Sequence, residues 1–436
     1  MGYIIAFLYA WLFVSCIKRY AGLQPEGMPV MAAVYLFVMK CIVGLGLGLF
    51  YKTYYGSGDT FGFFGDSGHL FSIFFNEPKE FVKIFFDYHL GSPDTARNVA
   101  GMHLWYDSGF DDYYNDARTV VKINALLRFI SFGYYEVHVV FMNCISYLGL
   151  LWIYRVFFKD MTITGWENIA ILSVGFITPS VLMWGSGLLK EPLVLFMVGI
   201  ILRLTQLSTE NMRIRYFIYF PLIAFLFLII KMYLFAIILP GIIGIFFSKY
   251  ASNKRQINFI LLSYLIALVA VVVIGYYHPN YDLPALLFGK QLNTYRFAVF
   301  MNAGSVVHPV PFAPNWISFL KHIPEGIWFA FAHPYPNELV QWWMFPFSFE
   351  AVFILMLYGA SFYIDRCKYV FANSFHVYGI IVALGLLLLI GYTNPVLGNI
   401  VRYRMVSMIL LAVIGSASLL RSLSDTSNPK STISEK

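Results

Sequence analysis

Ionisable side chains are costly to hold near a bilayer, so in an apolar chain they mark where chemistry can occur. Here they gather in a few short segments. The first is Gly56-Ser57-Gly58-Asp59-Thr60-Phe61-Gly62-Phe63-Phe64-Gly65-Asp66-Ser67-Gly68-His69, with two carboxylates and an imidazole among glycines and phenylalanines. Partial desolvation raises a carboxylate's proton affinity, which suits Asp59 or Asp66 to serve as a general base. The plainer reading is that one of them caps the following helix. His69 closes the motif and is a candidate for touching substrate. The glycine spacing is not a nucleotide loop, because no strand precedes it.

Cations lie farther along the chain. In Trp184-Gly185-Ser186-Gly187-Leu188-Leu189-Lys190-Glu191-Pro192, two apolar runs are joined by almost no loop. Pro192 suits the first turn of the next helix, and amides at a helix start favour a phosphate beside Lys190. The alternative is a lysine snorkelling to the interface. Glu191 points to another side of that helix and joins the binding candidates. Lys231 stands alone between Ile230 and Met232 in a long apolar run, either snorkelling at a tight turn or facing a polar cavity. Arg402 and Arg404 open the last apolar run, two residues apart and so on different sides of a helix. Arginine suits bidentate phosphate recognition, with interfacial anchoring as the alternative.

His308, His322 and His333 have no metal-ligand spacing, and His333-Pro334-Tyr335-Pro336-Asn337-Glu338 reads as a rigid wall over a site in which His333 meets substrate. Asp111-Asp112 with Asp116 and Arg118 could hold a divalent cation, but a solvated acidic helix start explains them equally well. The four cysteines are scattered and form no CxxC pair. No metal ligand set is assigned and no cofactor is required.

These groups must be positioned by a membrane-embedded frame. Of 436 residues, 59% are hydrophobic and 12% charged, with mean hydropathy +0.69. A soluble domain carries about 25% charged residues. The reading is an all-α, polytopic transmembrane helix bundle. Eleven runs are long enough to cross: 2–17, 30–50, 135–157, 167–184, 188–206, 215–230, 232–248, 257–277, 346–364, 376–393 and 400–420. The first lacks a basic n-region and a cleavage site, so it reads as an uncleaved helix.

Five short connections carry Lys18, Arg19, Arg155, Lys159, Arg203, Arg213, Arg215, Lys249, Lys254, Arg255, Arg366 and Lys368. That asymmetry marks them cytoplasmic, which puts the N-terminus outside and residues 422–436 in the cytoplasm. It also explains the net charge of +7 without nucleic acid. The other face holds two large insertions, 51–134 and 278–345, whose amphipathic stretches read as interfacial helices. Residues 1–50, 135–277 and 346–421 then carry the spans. Neither insertion contains a glycosylation sequon, which favours a bacterial inner membrane.

Carboxylates from one insertion and cations from three turns, all at bilayer-surface depth, suit a phosphate at headgroup level with an apolar tail. Polyprenyl-linked sugars have that form. In this layout, an acidic motif in an early external loop followed by interfacial helices and many spans, the chain resembles the GT-C superfamily of integral-membrane glycosyltransferases. The resemblance implies a catalytic Asp at Asp59 or Asp66 and lipid-phosphate contacts from Lys190, Lys231 and Arg402 or Arg404. It departs in placing the acidic loop after the second span rather than the first. Lipid-linked oligosaccharide polymerases of the O-antigen type look similar. A transporter or flippase of a lipid-linked anion is the alternative from another class, although no internal repeat is visible and only Lys40 sits mid-span. The expected partners are the lipid-linked sugar and membrane lipids; protein partners are left open.

Overall fold

The computed structural model describes residues 1–25, 28–88, 92–105, 115–159, 161, 166–210, 213–338 and 341–427. Of the described residues 83% are helical, and among them the sole β pairing is the isolated antiparallel bridge Val306–Val396. It is an all-α polytopic helical protein.

Among the described residues nine helices are long and apolar enough to cross a membrane, against eleven runs in the sequence. Two causes account for the difference. Residues 167–184 form the twelve-residue helix Trp166–Ile177 and the short helix Pro179–Trp184, separated at Thr178. Pro179 lacks the amide that would continue the ladder, and the Thr178 hydroxyl donates back to Val174 O at 2.7 Å. The runs 215–230 and 232–248 join as a 34-residue helix, Ile214–Phe247, which Lys231 interrupts with extended backbone (φ −156°, ψ 80°). The arm before Lys231 is about 25 Å long, close to the hydrocarbon thickness, and delivers Lys231 to one end. Span ends move too. A π turn, Tyr51–Tyr55, lengthens the second span, and the last begins at Met405 behind a short helix, Leu397–Tyr403.

The chain divides into two compact units. The first comprises Met1–Trp152, Leu182–Ile201 and Phe217–Met232. Its spans pack closely where side chains vanish. A Cβ on Gly199 would lie 2.2 Å from Gly149 O, and one on Gly44 would lie 2.2 Å from Ser186 O. Such small-residue contacts let helix backbones approach where lipid supplies no hydrophobic drive. Its insertion is built from helices Asp59–Asn76, Pro78–Phe85, Pro93–Val99 and Asp116–Ser131. Pro78–Phe85 is amphipathic: Phe81 and Ile84 are buried, whereas Val82 and Lys79 face outward.

The second unit comprises Ile153–Val181, Leu202–Tyr216 and Tyr233–Lys436. Its most buried span is Met405–Asp425, against which Phe345–Asp365 and Ser374–Thr393 pack. Gly391 meets Gly326 in another backbone-level contact: a Cβ there would stand 1.9 Å from Gly326 O. The insertion of this unit carries Leu283–Phe300, Trp316–Lys321 and Ile323–Ala332.

Candidate functional site

In the first unit the insertion is locked by its own polar groups. Asp66, buried on the helix Asp59–Asn76, accepts the amides of His103 (2.9 Å) and Leu104 (2.7 Å), one on each carboxylate oxygen. Arg128 donates to Phe64 O (2.5 Å) and Ser67 Oγ (3.0 Å) with its guanidinium 4.2 Å over the Phe64 ring. Asn115 caps the helix Asp116–Ser131 through Ala117 N and ties it to Leu104 O and Trp105 O. Arg118 Nε also donates to Trp105 O.

Asp116 is therefore fixed at the first turn of a capped helix, where the dipole favours a carboxylate. Its two oxygens take two ammoniums from distant parts of the chain. Lys190 donates to Oδ1, and Lys231 donates to Oδ2 at 2.7 Å. Burial pushes the Asp116 carboxyl up, but the Lys231 and Lys190 charges outweigh it and hold the carboxyl below its ordinary 3.8. Lys190, Lys231 and Asp116 thus form a mostly buried charged cluster.

Each lysine has a mechanical reason to be there. Lys231 sits where its helix breaks, so it projects from a helix end. Lys190 closes a hairpin pinned from below. Lys40, fully buried in the second span, donates to Gly185 O and Ser186 Oγ at 3.0 Å each. Asn143 donates to Ser186 O at 2.8 Å. The Lys190 ammonium also lies 5.8 Å from the centroid of Phe63. Phe63 is one turn beyond Asp59 on the same helix, so the two share a face.

Asp59 begins that helix, part-exposed. Its approach demands glycine: Gly58 has φ 155°, and a Cβ there would strike the Tyr51 ring at 2.3 Å. The neighbouring Thr60 hydroxyl lies 2.6 Å from Tyr135 Oη, fixing the turn against the span Tyr135–Phe157.

Sequence candidates thus meet different fates. Lys190 and Lys231 come together. Asp66, read as a possible base, has both oxygens engaged and anchors the 103–104 loop instead. His69 is exposed, with Nε2 2.8 Å from Asn98 O, and ties down the helix Pro93–Val99. Glu191 is buried at the head of Glu191–Glu210. Asp111-Asp112 lies outside the described residues. Asp116, read from sequence as equally a solvated acid, is the centre of the cluster. Its sole sequence signal was an Asn-Asp pair at a helix start.

The second unit gathers the rest. Arg404 is fully buried and donates to Ala330 O (3.3 Å), Phe331 O (2.9 Å), His333 O, Phe347 O (2.8 Å) and Glu350 Oε2 (2.9 Å). Glu350 Oε1 accepts the Ser180 amide and hydroxyl. Read as a phosphate contact, Arg404 instead holds the backbone around His333, because its two terminal nitrogens are spent on carbonyls and one carboxylate. Arg402, one helix position earlier than the junction, is half-buried. His333 Nδ1 lies 2.7 Å from Glu338 Oε2, which also accepts the Tyr335 amide. His322 Nδ1 faces Ser318 O. Among the described residues no three His, Cys, Asp or Glu side chains are placed to hold a metal ion.

Comparison of the chain with known protein families, curated proteins and solved structures finds no match.

Proposed function

We propose that the protein is a membrane glycosyltransferase that takes a sugar from a polyprenyl-phosphate carrier at the outer face of a bacterial inner membrane. The observation that supports this most is the pairing of Lys190 and Lys231 on Asp116. Two ammoniums from distant parts of the chain meet in one mostly buried place, a concentration of positive charge that suits an anionic ligand. A lipid phosphate or diphosphate suits these two cations while its tail stays in the bilayer.

The chemistry gives each of these groups a role. Asp59, part-exposed on the face it shares with Phe63, accepts the proton of an acceptor hydroxyl. The acceptor oxygen bonds to the anomeric carbon as the bond from that carbon to the phosphate oxygen breaks. Charge grows on the departing phosphate, and Lys190 and Lys231 stabilise it there more than in the ground state. General-base help of this kind contributes about 10²–10⁴ in rate.

Proteoliposomes supplied with lipid-linked sugar and a soluble acceptor test the assignment. Asp59→Asn is expected to insert normally and to lose transfer by about that factor. Asp66→Asn is expected to lower the thermal midpoint, since it removes a charged acceptor from two amides. Full transfer by Asp59→Asn would remove the base from the scheme. Flux of intact donor across the bilayer without any new glycosidic product would favour a transporter.

A further inference from the structure

The geometry points to a second ligand site, in the other unit, that binds a neutral polyhydroxylated ring of the pyranose type. It does not depend on the transferase reading. A cavity of about 450 Å³ is lined by Tyr295, His308, Phe329, His333 and Glu338, together with Val306 and Val307. That size lies in the usual range for small-molecule sites, which place a few polar groups against apolar and aromatic walls.

The wall is well fixed. Arg404 grips the carbonyls of Ala330, Phe331 and His333 from behind. The opposite edge is tied by Val307 N to Pro395 O (2.8 Å) and Leu397 N to Ser305 O (2.9 Å). Within this frame Nδ1 of His333 faces Glu338 Oε2 at 2.7 Å, so Nε2 is the ring nitrogen offered to a ligand. Burial holds the His333 ring below its ordinary 6.5; Glu338 opposes this, and the Arg404 charge adds to the lowering. The imidazole is then neutral near pH 7, with Nε2 an acceptor.

The chemistry of the lining selects the ligand. Glu338 places a carboxylate on the cavity wall, and among the described residues no lysine or arginine lines it, so a phosphate is disfavoured. A metal is disfavoured too, because no three-ligand group is present among the described residues. Acceptors at His333 and Glu338, donors at Tyr295 and His308, and the flat Phe329 ring match hydroxyls around a ring with one C–H face. Phe329, His333 and Tyr335 form a continuous aromatic run, with centroids 4.5 and 4.4 Å apart.

The test is saturation-transfer NMR on the full chain in a sugar-free amine-oxide detergent. The probes are glucose, galactose, mannose, rhamnose and N-acetylglucosamine, with inorganic phosphate as the anion control. At least one sugar is expected to bind saturably. Glu338→Gln and Phe329→Ala are each expected to weaken it about tenfold, the size of one lost charged hydrogen bond or stacking face. Lys254→Gln, in the exposed first turn of the helix Asn253–Tyr277, is expected to leave it unchanged. Tyr295→Phe, at the cavity edge, gives the same reading if the thermal midpoint shows that the buried variants fold poorly. Saturable binding by no sugar, equal affinity in the cavity variants, or displacement of the sugar by phosphate would overturn the proposal.

Discussion

At the scale of single residues, the arrangement turns on how many partners each charge has. Asp116 meets two ammoniums, one on each carboxylate oxygen. Asp116→Asn removes a shared carboxylate from two mostly buried cations and is expected to destabilise by about 3–5 kcal/mol. Lys190→Gln leaves Asp116 paired with Lys231 and should cost clearly less. Thermal or denaturant unfolding in detergent separates the two, and equal costs would contradict a shared carboxylate. The sign with pH is also fixed. With its folded value held below 3.8, the Asp116 carboxylate contributes stability that is fully present above 3.8. That contribution disappears as pH falls from 3.8 through the lower folded value. The stability gap between wild type and Asp116→Asn should thus be constant at higher pH and close below 3.8. Lys190 and Lys231 were legible in the sequence because a charge inside an apolar hairpin has few explanations. Asp116 was not, because its neighbours Asp111 and Asp112 make a wetted acidic surface look sufficient and its partners stand far off in the chain. Asp66 and Arg404 stood out as costly residues, but sequence does not say whether a buried charge faces substrate or backbone.

At the scale of elements, positions are set by backbone-level contacts. Gly199 touches Gly149, and Gly44 touches the Ser186 carbonyl, so the hairpin bearing Lys190 rests on helices with no side chain between. Gly199→Leu should force the helices apart and abolish both stable insertion and transfer. Lys40→Met should keep the spans yet loosen the hairpin by removing donors to Gly185 O and Ser186 Oγ. The expected result is weaker donor binding at a normal expression level, read by lipid-phosphate titration. Unchanged affinity would mean that the turn holds without Lys40. Hydropathy located most spans to within a few residues, since about twenty apolar residues are needed whatever their order. It could not reveal the break at Thr178 or the extended residue at Lys231. Both are single-residue backbone events inside composition that stays apolar on either side.

At the scale of the whole molecule, the all-α polytopic fold follows from 12% charge and long apolar runs. The grouping into two units was not legible, because the first unit collects three separated stretches of chain. Each unit brings its own polar set together: Lys190, Lys231 and Asp116 in one, His333, Glu338 and Arg404 in the other. The central claim is that the first set holds the phosphate of a lipid-linked sugar during transfer. It is tested most directly in proteoliposomes carrying a doubly labelled donor, with released lipid phosphate and new glycosidic product measured together. The wild type is predicted to yield both in equal amounts, and the Lys190→Gln, Lys231→Gln double variant to yield neither while retaining its fold. Undiminished turnover in the double variant would contradict the account.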